Sequence, residues 1–180
     1  MKILNKYKTK DLLYISIFAG LGLSLKPLIT PVAHIFSSWA MLPGGALAGG
    51  LYMMWMSLTI VVVNKTGSGI LFGITQGLLV IILGWFGNHG IFSLLTYSLP
   101  AILPEIMRFL FHYKTSLFYH ILLCGSANLT ATFLVTLLIM RLPLIPLLIS
   151  LIFALISGII GGILSKKLYD LLNHYKLVDK

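Results

Sequence analysis

The stretch SLPAILPEIMRFLFHYK, residues 98–114, sets two prolines, a glutamate and an arginine inside a run whose hydropathy demands a membrane. The 180-residue chain has only four acidic residues, and Glu105 is the one that falls within an apolar segment. Hydrophobic residues make up 58% of the sequence and charged ones 9%, with a mean hydropathy of +1.01. Soluble domains carry about a quarter charged residues. A water-soluble fold of this size could not hide so much apolar surface, so the chain reads as an integral membrane protein. A carboxylate in that setting needs a partner or a task.

Six apolar runs surround and include that stretch, at 12–30, 44–63, 69–84, 91–111, 117–140 and 146–165. A helical span needs roughly 20 apolar residues, and shorter ones fit tightly packed bundles. The connections TPVAHIFSSWAMLP, NKTGSG, WFGNHG, HYKTS and RLPLIP are too short for a soluble domain. The expected architecture is an all-α integral membrane protein, a compact bundle of six transmembrane helices forming one domain over residues 1–180. The net charge of +9 does not point to nucleic acid, because Lys2, Lys6, Lys8 and Lys10 precede the first run and Lys166, Lys167, Lys176 and Lys180 follow the last. Flanking lysines are topology signals, and there is no room for a folded basic surface. With the N-terminus inside, those eight lysines join Lys65, Arg108 and Lys114 on the cytoplasmic side, while Arg141 alone lies outside. Both termini are therefore expected in the cytoplasm of a multi-pass protein of the cell membrane. The first apolar run is too long for a cleaved signal and lacks a small-x-small site, so it reads as a retained span. Cys124 stands alone, which excludes a disulfide framework.

Small residues recur every fourth position in Ser16, Gly20, Ser24; Gly45, Gly49; Gly69, Gly73, Gly77; and Ala154, Gly158, Gly162. Such rows let another backbone approach closely. Internal packing accounts for most of them, and the Ser16 row is the one held open as an external docking face. The fifth run carries a polar row, His120, Cys124, Asn128, Thr132 and Thr136, that stays on about half of its helix. It reads either as interhelical hydrogen bonding or as the lining of a pocket.

Chemistry-bearing motifs are absent. GSGILFG lacks the lysine and Ser/Thr of a phosphate-binding loop, so the chain cannot hydrolyse ATP alone. No HExxH, GxSxG or aspartate pair appears, and the five histidines are scattered without metal-ligand spacing. Neither an enzyme nor a resident metal or cofactor is expected. Trp39, Trp85, Asn88, His89 and Tyr97 gather in or beside the outer loops, while Tyr52 and Trp55 lie within the second span. Interfacial Trp and Tyr often serve only as membrane anchors. Trp55 is too deep for that role, and reads as core packing or as an aromatic wall for a flat ligand. For Glu105 the structural partner is Arg108, one turn on. Lys26, a basic residue within the first span, is the other possible partner. Pro100 and Pro104 interrupt the helix beside it, and irregular backbone at membrane depth is tolerated where it lines a cavity.

The segment LPGGALAGGLYMMWMSLTIVVVNKTGSGILFGITQGLLVIILGWFGNHGIFSLLTYSLPAILPEI, residues 42–106, resembles the substrate-binding S components of energy-coupling-factor (ECF) vitamin transporters. The similarity is greatest to the thiamine and hydroxymethylpyrimidine branch. The glycine-rich entry into GGLYMMW, the NKTGSG turn, the GWFG turn and the acidic end of LPAILPEI carry it, in that order and spacing. The resemblance implies a six-helix membrane fold that captures a small vitamin-like ligand from outside and docks onto a transmembrane T component with two ABC ATPase subunits. Ser16, Gly20 and Ser24 occupy the place of the small-xxx-small docking face on the first helix. Candidate ligand contacts are Glu105, Trp55, Tyr52, Trp85, Asn88, His89 and Tyr97, with Glu105 suited to a cationic or amino-bearing heterocycle such as an aminopyrimidine. A stand-alone secondary transporter or channel, and an accessory subunit without a ligand, are the alternatives; no half of the sequence echoes the other, as inverted repeats would.

Overall fold

Proline and glycine punctuate an otherwise continuous helical pattern. A computed structural model describes residues 7–39, 43–84, 90–111 and 115–178, with the side chains of residues 34 and 36–39 outside the description. Among the described residues the regular elements are helices. α1 runs Thr9–Ser24 and opens with Asp11, whose carboxylate accepts the Lys8 N–H at 2.6 Å. A turn at Leu25 separates it from α2, Lys26–Trp39, which carries Pro27 in its first turn and Pro31 inside. α2 therefore fills most of the stretch read as the first connection: proline in a first turn lacks only an N–H that has no helical partner anyway.

α3 (Gly44–Val63) ends on Asn64 in the left-handed conformation, with its N–H returning to the Ile60 carbonyl. α4 (Ser68–Leu83) starts after Gly67, also left-handed, and stops at Gly84 in the same way. These are the φ > 0 residues that close helices. The fourth apolar run is broken, as its prolines require: α5 (Ser93–Ser98), a 3-10 turn over Leu99–Ala101, then α6 (Ile102–Leu110). α7 (Leu117–Leu134) continues into a π turn, Val135–Ile139, and α8 runs 31 residues, Leu144–His174. At about 46 Å, α8 outlasts the bilayer core and carries Lys166 and Lys167 on helix rather than beyond it.

By length and composition five segments can cross a membrane: Thr9–Ala33, Gly44–Val63, Gly90–Leu110, Leu117–Ile139 and Leu144–His174. α4, at 16 residues, is apolar but shorter. α3 is the central helix: 67% of its apolar window is buried, against 28–39% for the other four. Phe18, Met56, Leu58, Ile60, Phe72, Leu123 and Ala127 form the main core around it. Glycine fixes how tightly α3 and α8 meet. A Cβ at Gly161 would stand 2.1 Å from the Gly50 carbonyl oxygen, and one at Gly50 would stand 1.8 Å from the Ser157 carbonyl oxygen. Nothing larger fits that crossing.

Candidate functional site

The turn at Leu25 swings Lys26 into the bundle, where it is only 9% exposed. Its ammonium donates to the Tyr97 hydroxyl and stands 4.1 Å from the Tyr97 ring centroid and 5.3 Å from that of Tyr52. Thr30, one helical turn on, places its Oγ1 3.0 Å from the Tyr52 hydroxyl. α2, α3 and α5 thus bring together one ammonium, three hydroxyls and two rings. Apolar side chains close around them: Leu23 and Val80 pack with Tyr97, and Ala33, Ala48 and Ile29 with Tyr52. Gly73 makes this possible from below, since its Cα faces the Tyr97 backbone so closely that a Cβ would stand 2.3 Å from that carbonyl oxygen. The ion pairs among the described residues join Asp11 to Lys65, Glu105 to Arg108 and Asp170 to Lys166, and Lys26 belongs to none. A buried lysine amine held only by a hydroxyl and ring electrons has no anionic partner among the described residues, so its protonated form is disfavoured in this low-dielectric setting unless an anion completes it.

Glu105 lies toward the other end of the bundle, where α1 begins. Its Oε2 takes the Arg108 Nε at 2.9 Å, and its Oε1 accepts the Gly69 N–H, also at 2.9 Å. Gly69 is the second residue of α4, so the carboxylate of α6 caps the N-terminus of α4 and meets its dipole. Arg108, 2% exposed, extends its Nη2 to Thr66 Oγ1 at 2.7 Å, and Tyr7 donates to the Thr66 carbonyl at 2.7 Å. Lys65 reaches Asp11 beside them. Of the two partners open to Glu105 in the sequence, Arg108 is the one in place. Eight residues, about 12 Å of helix, separate Glu105 from Tyr97.

The polar row of α7 knits helices together. His120 Nδ1 lies 2.9 Å from Ser165 Oγ, Cys124 donates to the Gly50 carbonyl at 3.5 Å, and Asn128 Nδ2 donates to the Ala154 carbonyl at 2.8 Å. Thr136 bonds back to its own helix through the Thr132 carbonyl. Trp55 packs on Phe18, ring centroids 6.0 Å apart, within the α1–α3 core.

The small-residue rows differ in how far they are covered; Gly45, like Gly20, has nothing within 4 Å, but its row-mate Gly49 is closed. Cβ atoms at Gly49, Gly69, Gly73, Gly158 and Gly162 would each collide with a neighbouring helix. At Gly20 nothing stands within 4 Å, and Ser16 and Ser24 are exposed on the same face. Leu13, Ile17 and Leu21 flank the row and are exposed as well.

A family model described as "ABC-type cobalt transport system, permease component" matches residues 10–133. The chain belongs to this family. A solved structure, "Crystal structure of an S-component of ECF transporter", aligns with a TM-score of 0.77 over 94% of this chain and 87% of its own, at 18% identity. The fold of this permease component is therefore that of an ECF S component. No curated protein sequence matches significantly. Family and fold alike are those of transporter components, and with five apolar spans the protein is a multi-pass protein of the plasma membrane. Among the described residues no group of three His, Cys, Asp or Glu side chains is placed to hold a metal ion.

Of the ligand contacts expected from the sequence, Tyr52 and Tyr97 meet around Lys26, while Trp55 and Glu105 sit apart in the core and in the ion-paired end. Trp85, Asn88 and His89 lie outside the described residues, as does the side chain of Trp39. Lys26 was not among the expected contacts. The signal for it was its position, since it is the basic residue farthest from either flank of its span.

Proposed function

We propose that this chain is the membrane-embedded substrate-binding subunit, the S component, of an ECF-type ABC importer. It captures a small flat vitamin or precursor, of the thiamine or hydroxymethylpyrimidine type, from outside the cell. Both termini lie in the cytoplasm, as the distribution of lysines favours, which turns the Lys26 end outward and the Glu105 end inward. Ligand contacts come from Tyr52, Tyr97 and Lys26. Glu105 is left out because both of its oxygens are engaged by Gly69 and Arg108. The T component docks on Ser16, Gly20 and Ser24, and the two ABC ATPase subunits drive release inward.

The observation that carries this reading is the uncovered row on α1. The other small-residue rows contain glycines closed by neighbouring helices, whereas this one stands free beside exposed leucines and isoleucine. Helix association in lipid depends on such close-packing surfaces. Gly20→Leu tests it: co-purification with the T component and ATPases should be lost, while melting temperature and ligand retention stay near wild type. Loss of ligand retention together with assembly would place the row in internal packing. Uptake into liposomes without ATPases would favour a stand-alone transporter instead.

A further inference from the structure

We infer that Lys26 is the anchor for an oxyanion on the ligand, a phosphate ester or a carboxylate attached to a flat ring. The inference rests on the substrate-binding reading and narrows its ligand class. Three observations lead to it. The ammonium is buried, 9% exposed, and no carboxylate of the described residues neutralises it. An uncompensated cation at membrane depth is unfavourable unless something completes it. The groups around it suit an anion: of the hydrogen-bonded Thr30 and Tyr52 hydroxyls one keeps a hydrogen it can donate to a negative oxygen, beside the Lys26 amine itself. The Tyr52 and Tyr97 rings both face the Lys26 amine, so an anion drawn to it meets two aromatic side chains against which a planar ring could pack once that amine moves toward the anion.

Charge also sorts the two ends of the bundle. At the Glu105 end every described carboxylate–cation contact is already made, by Arg108 and by Lys65. At the Lys26 end the positive charge is left over. An acidic ligand supplies the missing negative charge, whereas a purely cationic ligand, thiamine itself included, would meet repulsion at a protonated Lys26; within the proposed class this favours phosphate esters and acidic precursors.

The test uses the purified full chain in nanodiscs, with Lys26→Met and Lys26→Arg. Two matched pairs serve as probes: hydroxymethylpyrimidine with its monophosphate, and nicotinamide with nicotinate. Calorimetric titration of wild type should show the acidic member of one pair binding at least tenfold more tightly than its neutral partner. Preference within the first pair identifies a phosphate as the anion, and within the second a carboxylate. Lys26→Met should lose that preference and Lys26→Arg should retain part of it. Without ligand, Lys26→Met should melt at or above wild type, because it removes an uncompensated charge. The inference is overturned if the neutral members bind as well as the acidic ones, if no probe binds wild type, or if ligand-free Lys26→Met melts well below it. Co-purification with the T component, which the Lys26 variants should leave intact, reports separately on the substrate-binding reading: its loss in wild type removes that reading as well.

Discussion

The two ends of this bundle treat buried charge in opposite ways. Around Glu105 the charges are matched: Arg108 and the Gly69 N–H take the carboxylate, Thr66 accepts from the Arg108 Nη2, and Asp11 holds Lys65 nearby. Around Lys26 one ammonium rests on a tyrosine hydroxyl and two rings, without a carboxylate. The first arrangement ties α6 to the start of α4, and α1 to the turn before it, through matched charges. The second leaves a charge incompletely satisfied, which is tolerated where a ligand completes it. On the proposed reading, charge balance, more than the mere presence of an intramembrane acid, separates structure from site.

The contrast can be broken most forcefully at Arg108. Arg108→Met strands Glu105 without its cation, a loss of about 3–5 kcal/mol for a buried pair. Chemical denaturation in detergent should show it as the least stable of the single variants named here. An effect below about 1 kcal/mol would mean that the pair is solvated and the two ends are alike.

A smaller loss is expected where helices touch without charge. Gly161→Ala pushes a methyl group onto the Gly50 carbonyl, 2.1 Å from where that Cβ would stand. Overpacking of this kind costs about 1–3 kcal/mol. Because α3 and α8 move apart to relieve it, melting should fall while the Lys26 cluster, built on α2, α3 and α5, still binds ligand. A melting curve unchanged from wild type would show that the crossing is looser than these contacts require.

The smallest effect belongs to Asp11→Asn. Its bridge to Lys65 is partly exposed, with side chains 14% and 28% accessible. Partly solvated pairs contribute about 0–1 kcal/mol. Denaturation should place this variant within about 1 kcal/mol of wild type, and its deficit should shrink further at high salt.

How much of this was legible in the sequence depends on how far apart the partners lie. Six apolar runs give an expectation of six spans; five are long enough to cross, the third run being the 16-residue α4, and Pro100 and Pro104 announced the break in the fourth. Residues 31–39 were not legible as helix, since the first apolar run reads as ending at residue 30, and only the fold shows that α2 continues. The Glu105–Arg108 pair could be read from its i,i+3 spacing. The cap on Gly69 could not, since that partner lies 36 residues away. The same holds for Lys26: the sequence shows a lysine in a span, but Tyr97, 71 residues on, is delivered to it by the fold alone. The polar row of α7 left hydrogen bonding and pocket lining equally open until the contacts of Asn128 and His120 with α8 were in view.

The most direct measurement compares ligand binding in two variants that neutralise opposite ends. A ligand carried through purification, identified by mass spectrometry, is titrated against folded wild type, Glu105→Gln and Lys26→Met. The expected result is that Glu105→Gln binds within about twofold of wild type while Lys26→Met loses tenfold or more, about 1.4 kcal/mol. The reverse order, with Glu105→Gln losing affinity and Lys26→Met keeping it, would contradict the assignment of the two ends.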